Sequence, residues 1–234
     1  TMKVLLVLLL LPLALLLAAS EASVAQDGAV PDITVIEERL ENGLRLFILP
    51  RPGVPIASFV VQYRVGGVNE GPGTTGLAHL LEHLLFKGTT TVGTRDYSAE
   101  KPLLEEMDRL FDSLLVVQDR PPLDAGLVSS LEGRIQALED EAALLVRSNE
   151  FDEILRENGA RNLNATTTSE STTYYVELPS NRAELWFILE GDRMLNPVFR
   201  ELYAERDVVA EERRLRLETS PGGLLYEAHL AAAF

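Results

Sequence analysis

The sequence has 234 residues, of which 46% are hydrophobic and 24% charged, a balance typical of a globular protein and too apolar for a disordered chain. Its 36 acidic residues outnumber 21 basic ones and give a formal net charge of −15, which disfavours nucleic acid as a partner because phosphates would be repelled. The absence of cysteine excludes disulfides, iron–sulfur clusters, thiolate nucleophiles and cysteine-bound zinc, so any metal must be held by His, Asp or Glu.

The N-terminal segment has the layout of a secretory signal peptide. A lysine precedes an apolar run over residues 4–17, and small residues follow. This run is shorter than the ~20 residues that a membrane-spanning helix needs. We therefore predict a signal peptide over 1–25, cleaved after Ala25 rather than after Ser20 or Ala22. The protein would be exported, to the periplasm or the extracellular space, with no membrane span after cleavage. The alternative is an uncleaved anchor.

The remaining chain, 26–234, is predicted to be an α+β domain in which an antiparallel-rich mixed sheet packs against helices. Runs rich in β-branched and aromatic residues predict strands at 33–40, 44–49, 56–65, 162–168 and 172–178. Asn42-Gly43, between the first two runs, is typical of a tight hairpin turn. Apolar residues at helical spacing predict helices at 76–86, 182–195 and 199–218.

The segment 98–149 has a different pattern from the rest of the domain. Apolar residues recur at spacings of three and four in two stretches, which are separated by Pro121-Pro122. Asp124 has the side chain of a helix N-cap at the start of the second stretch. We therefore predict two amphipathic helices that form an inserted helical hairpin with an acidic, solvated outer face. The pattern favours a packing role over a function of its own.

Two of the three histidines lie in the pentapeptide His-Leu-Leu-Glu-His, and the third is His229. On a helix, His79, Glu82 and His83 share an arc of about 100°. Imidazoles at i and i+4 can hold one ion, and a carboxylate beside them can take a proton from a water that the metal acidifies. This order of residues is the inverzincin signature. It predicts a metal site with Glu82 as general base; the alternative is a pair of histidines that serve packing.

A catalytic zinc site needs a third protein ligand, and the Glu-rich segment 205–212 offers candidates. Glu205 and Glu212 are seven residues apart and share one helix face, whereas Glu211 points about 100° away from Glu212. One carboxylate could bind the ion while another orients a ligand, and the spacing alone leaves the assignment open. The alternative is that this segment is a solvated helix face.

Taken together, these motifs resemble the pitrilysin/insulinase family of zinc peptidases, which includes mitochondrial processing peptidase. The segments that carry the resemblance are 79–89, 159–167 followed by Tyr174-Tyr175, and 205–212. The resemblance implies one Zn²⁺ per site, bound by His79, His83 and Glu212. It also implies that Glu82 is the general base and that Glu205 supports catalysis.

The resemblance further implies how substrate is bound. The strand around Asn164 and Ala165 is expected to pair with an extended polypeptide substrate through main-chain hydrogen bonds. Family members build their catalytic chamber from two homologous halves, so we expect this chain to be an incomplete N-terminal half that needs a second half or a partner subunit. The spacing from His83 to Glu212 is longer than is usual in the family, and the segment 98–149 accounts for the excess.

Two hypotheses about function follow. The first is a secreted zinc endopeptidase that hydrolyses small or unfolded polypeptides, with zinc-bound water as nucleophile. The second is a non-catalytic family member that serves as a peptide-binding scaffold or partner subunit. Such members typically lose the histidines or the base, and all five expected positions are present here, which favours the enzyme.

Overall fold

The computed structural model describes residues 34–233, so the predicted signal peptide over 1–25 lies outside the described part of the chain. The chain divides into two units, with the boundary between Gly53 and Val54. Among residues 34–233, no helix has both the length and the apolar character needed to cross a membrane.

The first unit contains the predicted β-hairpin. Strands β1 (Ile36–Arg39) and β2 (Arg45–Ile48) pair in antiparallel fashion. In the turn, the Asn42 side chain accepts a hydrogen bond from the backbone N–H of Leu44 at 3.1 Å. Gly43 adopts a φ of 90°, which residues with a Cβ rarely reach. The Asn-Gly pair therefore fixes the turn in the way that its sequence predicts.

The second unit is built on a three-stranded antiparallel sheet with strand order β3–β5–β4. The strands are β3 (Ile56–Tyr63), β4 (Arg161–Thr167) and β5 (Thr172–Pro179). Burial alternates along the central strand β5, as expected for a strand with one face against a core. The predicted α+β class is confirmed. Every strand pairing within residues 34–233 is antiparallel, without the parallel pairs that a mixed sheet would contain.

Two helices, α4 (Glu150–Glu157) and α5 (Ala183–Leu195), build the core against this sheet. Its buried members are Phe151, Leu155, Val176, Leu178 and Leu189. Complete burial of each such side chain contributes roughly 1.5–3 kcal/mol to folding. Helix α5 was predicted and α4 was not. With eight residues and two buried apolar side chains, α4 is too short to give a periodic signal.

Helices α2 (Tyr97–Gln118) and α3 (Ala125–Ala143) lie where the helical hairpin was predicted and pack on each other. Asp124 caps α3, as expected, because its carboxylate accepts a hydrogen bond from the N–H of Leu127 at 2.9 Å. The hairpin has a small core of its own, which consists of Leu110, Leu114, Leu131 and Ile135. It is therefore internally packed and does not depend only on the rest of the unit.

The remaining helices include the two that carry the predicted site. These are α1 (Leu77–Leu84) and α6 (Leu202–Arg213), and α6 continues through a π-helical turn over Arg214–Glu218. The final helix, α7 (Pro221–Ala233), was not predicted. Two consecutive glycines in its first turn lower its intrinsic helix propensity, which weakens the sequence signal.

Candidate metal centre

The carboxylate of Glu70 anchors the N-terminus of α1. Its Oε2 accepts a hydrogen bond from the N–H of Gly76 at 2.8 Å, and its Oε1 accepts one from Ala78 at 2.7 Å. The first N–H groups of a helix have no partner within the helix, and a negative charge at this end is favourable. Ala78 and Leu84, on one side of α1, are buried. The opposite side, with the histidines, is thereby held in a fixed orientation.

Helix α6 places Glu212 opposite the two histidines of α1. His79 Nε2 lies 3.8 Å from Glu212 Oε2, and His83 Nε2 lies 3.9 Å from Glu212 Oε1. One donor atom from each of the three residues lies within 4.8 Å of the others. Helices α1 and α6, which are more than a hundred residues apart in sequence, thus bring three potential metal-ligand atoms close together. Glu211 pairs instead with Arg214, on another side of the helix.

This donor set fits a zinc ion. Catalytic zinc sites have three protein ligands, and the Zn–N distance of ~2.0–2.1 Å puts the ligand atoms of a tetrahedral site roughly 3.3 Å apart. The two observed nitrogen–oxygen separations exceed this value by about half an ångström, and all three donor atoms lie within 4.8 Å of one another, so modest side-chain movement would bring them to a metal ion. Glu212 Oε2 is buried and makes no hydrogen bond among the described residues, although Arg216 Nη2 approaches it to 3.0 Å. Arg216 therefore balances its charge, and the oxygen still has a lone pair with which to bind a metal ion.

Glu205 contacts the other nitrogen of His83. The distance between His83 Nδ1 and Glu205 Oε2 is 3.1 Å. When Nδ1–H donates to this carboxylate, the Nε2 lone pair is directed to the side where Glu212 lies. Glu205 thus lies against Nδ1 of His83 and Glu212 lies on the Nε2 side, a difference between the two carboxylates that the spacing alone left open.

Lys87 completes this contact and was not singled out in the sequence. Its Nζ lies 2.6 Å from Glu205 Oε1 and 2.7 Å from Glu201 Oε2. Partial burial alone would raise the pKa of Glu205, but hydrogen bonds from Lys87 and His83 outweigh burial and hold this pKa below its usual value. Glu205 therefore remains a carboxylate and can accept the proton of His83 Nδ1.

Glu82 lies on the same side of α1 as the histidines and is held by strand β4. Thr167 Oγ1 donates a hydrogen bond to Glu82 Oε2 at 2.5 Å. This contact fixes the carboxylate beside the imidazoles without placing it among the three converging donor atoms. The arrangement suits a general base, which must sit next to the metal and not bind it.

The predicted substrate strand forms one edge of the sheet. Among residues 34–233, strand β4 pairs with β5 alone, and within it Asn164 is exposed and Ala165 partly buried. A cavity of about 290 Å³ lies beside this strand and is lined by Asn164 together with Glu82 and His83. An extended chain added to this edge would therefore pass beside the candidate metal site.

A buried ion pair fixes the segment that follows α1, and no local pattern of residues predicted it. Arg200 Nε donates to Glu100 Oε1 at 2.6 Å, and both side chains are almost fully buried. The same guanidinium donates to three backbone carbonyls, those of Lys87, Thr89 and Val92. Arg200 therefore ties this segment, including the lysine that contacts Glu205, to the start of α2.

Comparisons with known proteins agree with this geometry. The family model described as insulinase, peptidase family M16, matches residues 48–105 and 144–234 and leaves out 106–143. A Helicobacter pylori protein named zinc protease PqqE is 28% identical over 190 residues, which are 80% of this chain and 30% of that protein. A Mycobacterium leprae protein named as an uncharacterized zinc protease is 28% identical over 212 residues, 90% of this chain and 35% of that protein.

A solved structure is similar as well. The crystal structure of a protease from Helicobacter pylori matches with a TM-score of 0.56 at 26% identity, over 83% of this chain and 34% of that one. This chain spans about a third of the length of these relatives. The family model covers more than half of the chain, including α1, β4 and α6. The chain therefore belongs to the insulinase family of peptidases, family M16.

Proposed function

We propose that this chain is the metal-binding part of a zinc-dependent endopeptidase. The observation that carries the proposal is the convergence of His79, His83 and Glu212, whose donor atoms lie within 4.8 Å of one another. The names of the relatives, zinc protease, support the same metal and reaction. Because the chain spans about a third of their length, the activity is proposed for the intact protein that contains it.

Each site residue has a distinct part in the proposed hydrolysis. Zinc, when bound, supplies a Lewis acid that polarises the scissile carbonyl and lowers the pKa of a water molecule to about 7. Glu82 takes a proton from the attacking water and passes it to the leaving amine. The hydrogen bond from Thr167 occupies Oε2 of Glu82, so Oε1 is the oxygen that takes the proton. Glu205 keeps His83 in the tautomer that presents Nε2.

We propose that the substrate is a small or unfolded polypeptide that adds to the edge of β4. Main-chain pairing near Asn164 and Ala165 would hold an extended segment with little regard to its side chains. A folded substrate could not present such a segment without local unfolding. A second half of the protein, or a partner subunit, would complete the chamber around the substrate.

The proposal includes domain organisation and localisation. The signal-like segment over 1–25 supports export to the periplasm or the extracellular space. Residues 26–234 are proposed as an incomplete N-terminal peptidase domain with a helical hairpin inserted at about 98–149. The family model omits 106–143, which lies within this hairpin and supports its assignment as an insertion.

Removal of the metal tests the proposed function. The intact protein is expected to cleave an unstructured, fluorescence-quenched peptide, to lose this activity after dialysis against a chelator, and to regain it with one equivalent of zinc. Mass spectrometry of the products would show cleavage at internal bonds. Cleavage that persists in the metal-free protein, or no cleavage by the zinc-loaded protein, would contradict the proposal.

A further inference from the structure

Helix α6 carries Glu205 and Glu212, but few of its own side chains are buried enough to hold it in place. None of its residues, Leu202–Arg213, is fully buried. Beyond it the chain passes into the π-helical turn, whose residues are not buried either. A metal site needs its ligands in a fixed position, because movement of the carboxylate by a fraction of an ångström alters every metal–ligand distance. Contacts with neighbouring elements must therefore hold the helix, and those of Glu205 with His83 and Lys87 hold its inner side.

Another contact lies on the opposite side of α6 from the two glutamates. At 100° per residue, Tyr203 and Arg206 lie about 160° and 100° around the helix from Glu205. Tyr203 stacks on Phe111 of α2, with the two ring planes 15° apart. Its hydroxyl donates a hydrogen bond to Asp108 Oδ1 at 3.1 Å, also on α2. The back of the ligand helix is thus joined to the hairpin by an aromatic stack and a hydrogen bond.

A cation–π contact strengthens this junction with α2, and charges of α6 also act on α3. The Arg206 guanidinium lies 5.8 Å from the Tyr203 ring centroid and 5.9 Å from that of Phe111. On α3, burial and the charges of Asp140 and Asp207 raise the pKa of Glu139, while Arg206 lowers it. Charges of α6 therefore act on α3 as well as on α2. The hairpin has its own packed core, so it can serve as a rigid support.

We propose that the α2–α3 hairpin is the support that fixes α6 and so positions Glu212 at the metal site, with Phe111 and Tyr203 as positioning residues. The inference rests on the proposed function, which supplies the metal. It adds a role for the hairpin, whereas the sequence pattern favoured only a packing role. Asp108, Phe111 and Glu139 all lie in 106–143, the part that the family model leaves out. The support is therefore a feature of this chain that the general family pattern does not include.

Truncation of the stack tests the inference. The Phe111→Ala variant is expected to bind zinc roughly three- to tenfold more weakly, because the loss of an aromatic pair has an effect of this order. The affinity would be measured on the intact protein by competition with a chelating dye. Amide hydrogen exchange over Leu202–Arg213 is expected to be faster, in the metal-free protein as well as the zinc-loaded one.

Two variants serve as controls. Phe111→Tyr keeps the ring and is expected to bind zinc as the parent does. Phe187→Ala removes an exposed aromatic ring of α5 that contacts Phe59 and Trp186. This variant is expected to leave zinc affinity unchanged. An unchanged zinc affinity in Phe111→Ala, or an equal loss in Phe187→Ala, would overturn the inference.

The design separates this inference from the proposed function. If the parent protein binds no zinc, the proposed function fails, and exchange in the metal-free protein still shows whether the hairpin holds α6. If the parent binds zinc but Phe111→Ala leaves the zinc affinity unchanged, the inference alone fails.

Discussion

Replacement of Glu82 by glutamine is expected to lower peptide turnover roughly 10²- to 10⁴-fold, the usual contribution of a general base. Glutamine keeps the shape of the side chain and can still accept the hydrogen bond from Thr167. It cannot take a proton from water. Because Glu82 is not among the three converging donor residues, the zinc content of Glu82→Gln is expected to equal that of the parent. The measurement is kcat on an unstructured peptide, paired with metal analysis.

Glu184→Gln is a matched control, since it makes the same change at an exposed position in the first turn of α5. It should retain full turnover and full zinc content. Full turnover by Glu82→Gln would remove this residue as the base. Loss of zinc together with turnover would assign Glu82 a structural role at the metal instead.

Replacement of Arg200 by alanine is expected to lower the free energy of unfolding strongly. Arg200 and Glu100 form an almost fully buried ion pair, and removal of one partner leaves the other as an uncompensated buried charge. Such a loss costs about 3–5 kcal/mol, a large fraction of the total stability of a domain. The carbonyls of Lys87, Thr89 and Val92 also lose a donor. Urea unfolding followed by the fluorescence of Trp186 would give the free energy of unfolding.

Two further variants keep this prediction testable if Arg200→Ala does not fold. Arg200→Lys retains the charge but not the planar fork that reaches Glu100 and three carbonyls, so an intermediate loss is expected. In the Arg200→Ala background, Glu100→Gln removes the unpaired charge and is expected to restore part of the stability. A loss below about 1 kcal/mol in Arg200→Ala, the scale of an exposed pair, would show that the pair is not buried as described.

Local patterns in the sequence predicted the elements that carry the site. The His-Leu-Leu-Glu-His helix is visible because i, i+3 and i+4 positions share a face whatever the surroundings. The hairpin helices are visible for the same reason, with long apolar repeats and an N-cap at Asp124. The turn at Asn42-Gly43 depends only on two adjacent residues. These features do not need knowledge of distant parts of the chain.

Contacts between distant segments could not be predicted in this way. Glu100 and Arg200 are a hundred residues apart, and neither belongs to a local pattern that distinguishes it from other charged residues. The same holds for Lys87 with Glu201, and for Phe111 with Tyr203. The different neighbours of Glu205 and Glu212 are likewise set by where α6 lies against α1. Tertiary packing decides these contacts, and helical periodicity leaves them open.

His79, His83 and Glu212 are proposed to bind one zinc ion, and the stoichiometry and ligands of zinc in the intact protein test this binding. Metal analysis with X-ray absorption at the zinc edge is expected to give one zinc per chain, bound by two imidazoles and a carboxylate. Glu212→Ala is expected to lose this zinc, whereas Glu211→Ala, one residue away on another side of α6, should retain it. If Glu212→Ala retained its zinc unchanged, or if the parent protein bound none, the proposed zinc site would be contradicted.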